Sequence, residues 1–353
     1  MKEGLKSVSL SANWMWPCKN EGEDARLYKA DDQITGGHDV ASGGLITTLL
    51  ELCFADTDLG AELDLSDLGN DAAIEDVLEA ANIDFKKIGK AVSEATLTIK
   101  NNGMEMGLNV SSLRDTWFKT SYLLDNKQTA NGLAKDRFDN YKQQGLNYSF
   151  PKQFTGKLPV NGTNRPKAAI LREKGSNSER EMANAMFLAG FDVKDVHMTD
   201  LISGRETLED IQFLGAVGGF SNSDVLGSAK GWAGAIKYNE KANKVINDFF
   251  ARPDTLSVGI CNGCQLFMEL DLINPDHDTH GKMTYNDSGK HESNFTSVKV
   301  QENNSVMLSS LAGTTLGVWI SHGEGKFDLP LAEENYDIVA KYGYEGYPCE
   351  SEW

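Results

Sequence analysis

The sequence predicts an α/β fold whose second half holds a mostly parallel sheet with helices on both faces. From residue 167 onward, short apolar runs alternate with helix-like stretches, which is the order of strand–helix–strand units. The chain of 353 residues is long enough for two domains. Between residues 116 and 165, a polar, helix-prone stretch ends in several prolines and glycines, and this connector separates the two halves.

Each element of the second half is predicted from its apolar periodicity. The predicted strands are 168–171, 191–196, 213–217 and 256–260. The predicted helices are 178–189, with Asn177 or Ser178 as N-cap, and most of 229–250. Parallel strands end at one common edge of their sheet, and ligands bind there. The residues that follow the third and fourth strands are therefore candidates for a functional site.

The most informative segment is 257–265, which reads SVGICNGCQ. An apolar run leads into Gly-x-Cys-x-Gly and a helix-like run follows, as in a nucleophile elbow with Cys261 at its tip. Gly259 and Gly263 suit this turn, because side chains would collide where strand and helix backbones approach. A thiolate at a helix N-terminus is stabilised by the helix dipole and by free N–H groups. We predict that Cys261 is a nucleophile.

The same segment contains a Cys-x-x-Cys pair, Cys261 and Cys264, which could also belong to a zinc or redox site. A closed zinc site needs about four ligands, usually from two such pairs. The remaining cysteines stand singly at Cys18, Cys53 and Cys349. We therefore predict no metal site, and we expect Cys264 to pack inward as a small apolar residue.

Two other segments are candidates for the same site. In 217–221, two adjacent glycines follow the third strand and could point backbone N–H groups into a cavity as an oxyanion hole, although a plain Gly-Gly turn fits equally well. In 319–325, His322 and Glu324 stand two residues apart after an apolar run. On a strand they would share a face and could act as a base and its orienting carboxylate, with a solvated strand end as the alternative.

Composition excludes several classes of partner. The formal net charge of −18 argues against a nucleic acid or an anionic membrane, because binding to these needs clustered basic residues. The first residues lack the apolar core of a signal peptide, and no apolar stretch reaches the length of a membrane span. The five cysteines have no regular spacing, which is typical of a reducing compartment. We expect a cytoplasmic protein.

Three segments together carry a family resemblance. Residues 259–265, 218–227 and 322–325 resemble the phosphoribosylformylglycinamidine synthases, and within them the class I glutamine amidotransferase domain of the single-chain form. Residues 170–180 and 286–293 are also similar to segments of that domain. The resemblance extends over residues 166–348 and implies a flavodoxin-like sheet.

The resemblance also implies a chemistry. Cys261 would attack the side-chain carboxamide of glutamine, release ammonia and leave a glutamyl thioester for water to hydrolyse. The ammonia would pass to a synthetase site that uses ATP and Mg²⁺ to convert formylglycinamide ribonucleotide to the amidine in purine synthesis. The partners would be these small molecules, and the protein would be a monomer. The positions that match the oxyanion and substrate-binding motifs are Gly219, Phe220, Asn262, Cys264 and Gln265.

The first half resembles the same family less completely. Segments 9–15 and 37–45 are similar to parts of the AIR-synthase-like synthetase core. In the family a long stretch with a Gly-Lys-Asp-Ser nucleotide motif separates them, whereas here only residues 16–36 lie between them. We therefore expect a partial α+β synthetase-core remnant at 1–115, a linker at 116–165 and the amidotransferase domain at 166–353. ATP binding by this chain is expected to be weak or absent, and ordinary βα turns would explain the glycines.

The family's activating His-Pro-Glu motif has no counterpart in the sequence, which ends at 347–353 with YPCESEW. His322 and Glu324 belong to a different family motif and are predicted only to line the site. The expectation is an amidotransferase domain that is incomplete at its carboxyl end and slow in glutamine hydrolysis. Two alternatives stay open: an inactive binding or scaffold remnant, and another cysteine-elbow amidotransferase or hydrolase.

Overall fold

The computed structural model describes residues 44–54, 60–64, 88–140, 149–151 and 164–343. The chain divides into two compact units, Met1–Asp125 and Asn126–Trp353. Segments 9–15 and 347–353, and most of 37–45, lie outside the described residues. None of the helices in the described ranges combines the length and the apolar character that crossing a membrane requires.

The described part of the first unit is a small mixed sheet with a helix packed on it. Its elements are α1 (Gly44–Phe54), β1 (Gly60–Asp64), β2 (Gly89–Val92), β3 (Thr96–Asn101), β4 (Met104–Asn109) and α2 (Val110–Gln128). The strand order is β2-β1-β3-β4, with β1 parallel to β3 and the other pairs antiparallel. Leu49, Leu63 and Leu97 are buried between helix and sheet. This arrangement agrees with the predicted α+β class.

The second unit carries the predicted strand–helix alternation. Its first elements are α3 (Leu133–Asn140), β5 (Lys167–Arg172), α4 (Glu179–Leu188), β6 (Asp192–His197), α5 (Met198–Ser203), β7 (Phe213–Ala216), α6 (Lys230–Lys237), α7 (Glu240–Phe250), β8 (Leu256–Gly259) and α8 (Asn262–Glu269). Strands β5 to β8 form one parallel sheet in the order β6-β5-β7-β8. All four predicted strands are confirmed.

The predicted helix at 229–250 is two helices. The first ends at Lys237, and Asn239 caps the second, because its side-chain oxygen accepts the Ala242 N–H at 3.0 Å. The earlier N-cap candidate, Ser178, does stand at the start of α4, but its side chain makes no capping hydrogen bond and its φ is 71°.

Alternate residues of the parallel strands face opposite helical layers. Leu171 and Leu214 pack with α5, α6, α7 and α8, whereas Ile170 and Val217 pack with α4. The period of two in β5 therefore divides the core between the two faces of the sheet. The prediction of a sheet covered on both faces is confirmed.

Antiparallel strands complete the second unit. They are β9 (Lys282–Thr284), β10 (Glu292–Val300), β11 (Thr315–His322), β12 (Lys326–Asp328) and β13 (Ala340–Tyr342). Strand β10 lies between β11 and β13, and β9 pairs with β12. The loop before β10 is tied to the start of the unit, since Ala130 N–H donates to the Ser288 carbonyl at 2.8 Å and Arg137 pairs with the buried Glu292.

The predicted domain boundaries stay predictions. The boundary at 115/116 falls inside helix α2, and residues from 126 onward belong to the second unit. Part of the predicted linker is therefore helical and packs with the unit that follows it.

Candidate active site

The elbow forms where strand β8 turns into helix α8. Cys261 occupies the turn with φ 53° and ψ −113°. Residues other than glycine adopt this backbone conformation only under strain. Its side chain is exposed. The tightness of the turn explains Gly263, because a Cβ there would lie 2.1 Å from the Ala216 carbonyl oxygen. The predicted elbow geometry around Cys261 is present.

The Gly-Gly loop after β7 lies against the nucleophile. A Cβ added to Gly218 would lie 3.2 Å from the Cys261 Cβ and 3.8 Å from its Sγ. Gly219 follows with φ 112°, a conformation that favours glycine. The two predicted segments are therefore neighbours at the carboxyl edge of the sheet.

Not every predicted oxyanion donor is available. The Phe220 N–H donates to the Gly175 carbonyl at 2.9 Å, because Ser176 and Gly219 form an isolated antiparallel bridge. Phe220 therefore does not fit the role that was predicted for it. Among the described residues, the Gly219 N–H has no acceptor.

The first turn of α8 leaves further donors. The Gly263 N–H donates a hydrogen bond to the Ile260 carbonyl at 2.9 Å. The N–H groups of Asn262 and Cys264 have no acceptor in the described part of the chain. Such unpaired groups are normal in a first helical turn and attract negative charge. The N–H groups of Gly219, Asn262 and Cys264 remain as oxyanion candidates.

The side chains of Asn262 and Gln265 are committed to the protein. Asn262 is fully buried; its Oδ1 accepts the Ser221 N–H at 3.2 Å, and its Nδ2 donates to Gln265 Oε1 at 3.0 Å and to Asp224 Oδ1 at 3.2 Å. Gln265 Nε2 donates to the Glu324 carbonyl at 2.8 Å. The expectation that Gln265 holds the substrate is therefore not supported, because both ends of its amide are satisfied within the protein.

The structure does not pair the His322 imidazole with the Glu324 carboxylate, which was one of the two possibilities that the sequence left open. Strand β11 ends at His322, so the alternation of a strand does not extend to Glu324. Both oxygens of the Glu324 carboxylate instead lie 3.3 Å from the Ser228 N–H, in the segment that follows the Gly-Gly loop. Glu324 binds that segment rather than an imidazole.

His322 is oriented by Asn286. The Asn286 Nδ2 donates to the carbonyls of Lys290 at 3.0 Å and His322 at 2.8 Å, so its Oδ1 is the acceptor for His322 Nδ1 at 2.9 Å. Nδ1 then carries the proton and Nε2 keeps its lone pair. Burial, with a smaller contribution from His291, lowers the pKa of His322, which favours a neutral imidazole.

The two thiols differ in environment. The Cys261 Sγ donates to the Ser321 carbonyl at 3.4 Å, and within the described residues no imidazole nitrogen hydrogen-bonds to it. Burial, and secondarily the neighbouring Cys261, raises the pKa of Cys264 from its usual 9.0 to about 11. Cys264 therefore packs inward as predicted.

In the described ranges no three His, Cys, Asp or Glu side chains are grouped so as to hold a metal.

Sequence reasoning did not assign the residues that support this site. Asp224 accepts hydrogen bonds from Ala229 N–H at 3.3 Å and Ser228 Oγ at 3.2 Å, and its distance of six residues from the start of α6 gives no capping signal. Ser321 contributes only a backbone carbonyl, which no residue type could have revealed.

The site belongs to a domain of known type. Residues 165–345, about half of the chain, match the family model of the CobB/CobQ-like glutamine amidotransferase domain. The chain belongs to this family. The amidotransferase resemblance predicted from the motifs is therefore confirmed, and the elbow with Cys261 lies inside the matched residues.

Curated relatives extend the similarity over most of the chain. A probable phosphoribosylformylglycinamidine synthase, chloroplastic/mitochondrial, of Arabidopsis thaliana is 34% identical in an alignment that covers 88% of this chain and 24% of the relative. The phosphoribosylformylglycinamidine synthase of Homo sapiens is 36% identical in an alignment that covers 88% of this chain and 26% of the relative. The chain spans about a quarter of the length of these relatives.

One solved structure is also similar to this chain. PurLQS from Thermotoga maritima is 24% identical, with a TM-score of 0.43, over 54% of this chain and 80% of that chain.

Proposed function

We propose that this amidotransferase releases ammonia from glutamine, with Cys261 as the nucleophile. The observation that carries the proposal is the strained, exposed Cys261 at the first turn of α8, with Gly218 against its sulfur and unpaired N–H groups beside it. A strained residue persists only when its surroundings hold it, and such strain clusters at reactive sites.

The chemistry proceeds in two displacements. The Cys261 sulfur bonds to the carboxamide carbon of glutamine, and the carbonyl π electrons move to oxygen. When that oxyanion collapses, the carbon–nitrogen bond breaks, and the thiol proton leaves with the nitrogen as ammonia. Water then displaces the sulfur, which gives glutamate and regenerates the thiol. The N–H groups of Gly219 and Cys264 are the proposed stabilisers of both oxyanions.

The larger reaction is proposed from the relatives. We propose that the ammonia serves the amidation of formylglycinamide ribonucleotide, with ATP and Mg²⁺ supplied by a synthetase site, because two relatives are named phosphoribosylformylglycinamidine synthases. The glycine-rich segment 37–45 lies mostly outside the described residues, so no step is assigned to ATP or Mg²⁺ in this chain. The cytoplasm remains the proposed compartment.

Ammonia release from L-glutamine tests the proposal. The full chain should release ammonia, Cys261→Ser should abolish the release, and Cys264→Ser should retain most of it, because only the first thiol is exposed. A glutamine-analogue electrophile should label Cys261, and L-glutamine but not L-asparagine should protect it.

A second function has one observation in its favour. The Cys261 thiol donates to a backbone carbonyl rather than to a base, which fits an inactive member of the family that only binds partners. A folded chain without ammonia release and without analogue labelling at Cys261 would refute the hydrolase, and capture of a partner by that chain would then establish the binding function.

A further inference from the structure

The loop beside the nucleophile contains a run of strained residues. Asn222, Ser223 and Asp224 have φ values of 51°, 59° and 48°, all in the left-handed region that residues with side chains rarely adopt. Three such residues in succession need external contacts to hold them. The loop begins at Gly218 and Gly219. The bridge between Gly219 and Ser176 and the hydrogen bond from the Asn222 N–H to the Lys174 carbonyl, at 2.9 Å, hold one side of the loop, so its contacts on the other side also help to set where the Gly219 N–H points.

One side chain holds this strained run at both ends. Asn262 Oδ1 accepts the N–H of Ser221, immediately before the run, at 3.2 Å. Its Nδ2 donates to the carboxylate of Asp224, the last residue of the run, at 3.2 Å. Asn262 is 0% exposed, so these bonds are shielded from competing water.

The same residue is attached to the nucleophile. Asn262 follows Cys261 directly and begins α8, and its third hydrogen bond, to Gln265 Oε1 at 3.0 Å, locks the side chain against the helix. We propose that Asn262 is a positioning residue that fixes the 218–224 loop on the elbow and so sets the oxyanion-binding Gly219 N–H relative to Cys261.

The kinetic consequence rests on the proposed glutaminase function. Misplacing a catalytic group by about 1 Å costs roughly 10²-fold in rate, and losing one oxyanion donor costs about 10²–10³-fold. Asn262→Ala should therefore lower kcat by about 10²-fold with little change in KM, since the oxyanion exists only during the reaction.

Two variants and a control separate positioning from general stability. Asn262→Ala removes both bonds to the loop, whereas Asn262→Asp keeps the acceptor for Ser221 N–H but sets a carboxylate against Asp224. Asn239→Ala removes a capping hydrogen bond on α7 and should lower stability without lowering kcat. Hydrogen exchange of the 218–224 amides is measured in each full-length variant, together with kcat, KM and iodoacetamide alkylation of Cys261.

The expected result is faster exchange in 218–224 for Asn262→Ala. In Asn262→Asp the Ser221 amide keeps its acceptor and should exchange more slowly than in Asn262→Ala. Alkylation of Cys261 should be normal in both variants. If the unmodified chain hydrolyses no glutamine, the glutaminase proposal fails while the exchange data still decide the role of Asn262. Unchanged exchange in 218–224 in both variants would overturn the inference. So would a kcat loss in Asn239→Ala as large as that in Asn262→Ala, because general destabilisation would then explain both.

Discussion

Selective alkylation of the two elbow thiols follows from their environments. Burial raises the pKa of Cys264 from 9.0 to about 11. At pH 8 its thiolate fraction is then roughly 10⁻³, against about 10⁻¹ for a thiol with the usual value. A thiolate of higher pKa is intrinsically more nucleophilic, and this raises the labelling rate of the Cys264 thiolate by about tenfold. The gain offsets part of the roughly hundredfold lower thiolate fraction. Ionisation alone should therefore make Cys264 about tenfold slower than an ordinary exposed thiol, and its burial should slow it further.

The assay is iodoacetamide labelling of the folded chain, with peptide mass spectrometry to resolve each cysteine. Cys261 should be labelled first because it is exposed. Cys53, in the first unit, is the internal control for Cys264, since burial also raises the pKa of its thiol. Its labelling, like that of Cys264, should lag behind that of Cys261. Between pH 7 and 10 the labelling rate of Cys264 should rise about tenfold per pH unit, because its thiolate fraction does so.

Two outcomes would refute this reasoning. Labelling of Cys264 at the rate of Cys261 would show that the helix does not bury it. A labelling rate of Cys264 that levels off between pH 9 and 10 would show that its pKa stays near 9.0 and is not raised. The raised pKa also predicts that the free energy of unfolding falls between pH 9 and 11, by about 1.4 kcal/mol per pH unit at most, because only the unfolded thiol ionises there.

Three further predictions concern the turn and the imidazole. Gly263→Ala places a methyl group 2.1 Å from the Ala216 carbonyl oxygen, so the free energy of unfolding in urea should fall by about 1–3 kcal/mol. Gly107→Ala is the control and should cause no such loss, because its nearest neighbour, a methyl group of Thr96, lies at 3.9 Å. Equal effects of the two substitutions would contradict the close approach at Gly263. His322 should titrate below 6.5 by NMR, and its contribution to stability should be present above pH 6.5 and lost as pH falls. In Asn286→Ala the imidazole of His322 should populate both neutral tautomers. An unchanged ¹⁵N spectrum of His322 would argue against its hydrogen bond to Asn286.

Periodicity and glycine spacing were sufficient for the local architecture. The strands β5 to β8 and the elbow follow from short-range rules, because a buried strand needs an apolar run and a tight turn needs residues without side chains. The break before α7 was missed, since Asn239 caps a helix inside a stretch that reads as continuously helical.

The chemistry-bearing residue types were also visible in the sequence. Cys261, between glycines and before a helix, is predicted from adjacent residues alone. The inward packing of Cys264 needed only its position in the first turn of the helix. Both results depend on interactions within a few residues of the chain.

Hydrogen-bond partners across the site were decided by the tertiary structure. Whether the Phe220 N–H is free depends on Gly175, and whether His322 meets a carboxylate depends on where β11 ends. The amide of Asn262 could have faced glutamine or the protein, and only the folded loop shows that it holds Ser221 and Asp224. These choices follow from distances of a few ångströms between segments far apart in sequence, which no local pattern encodes.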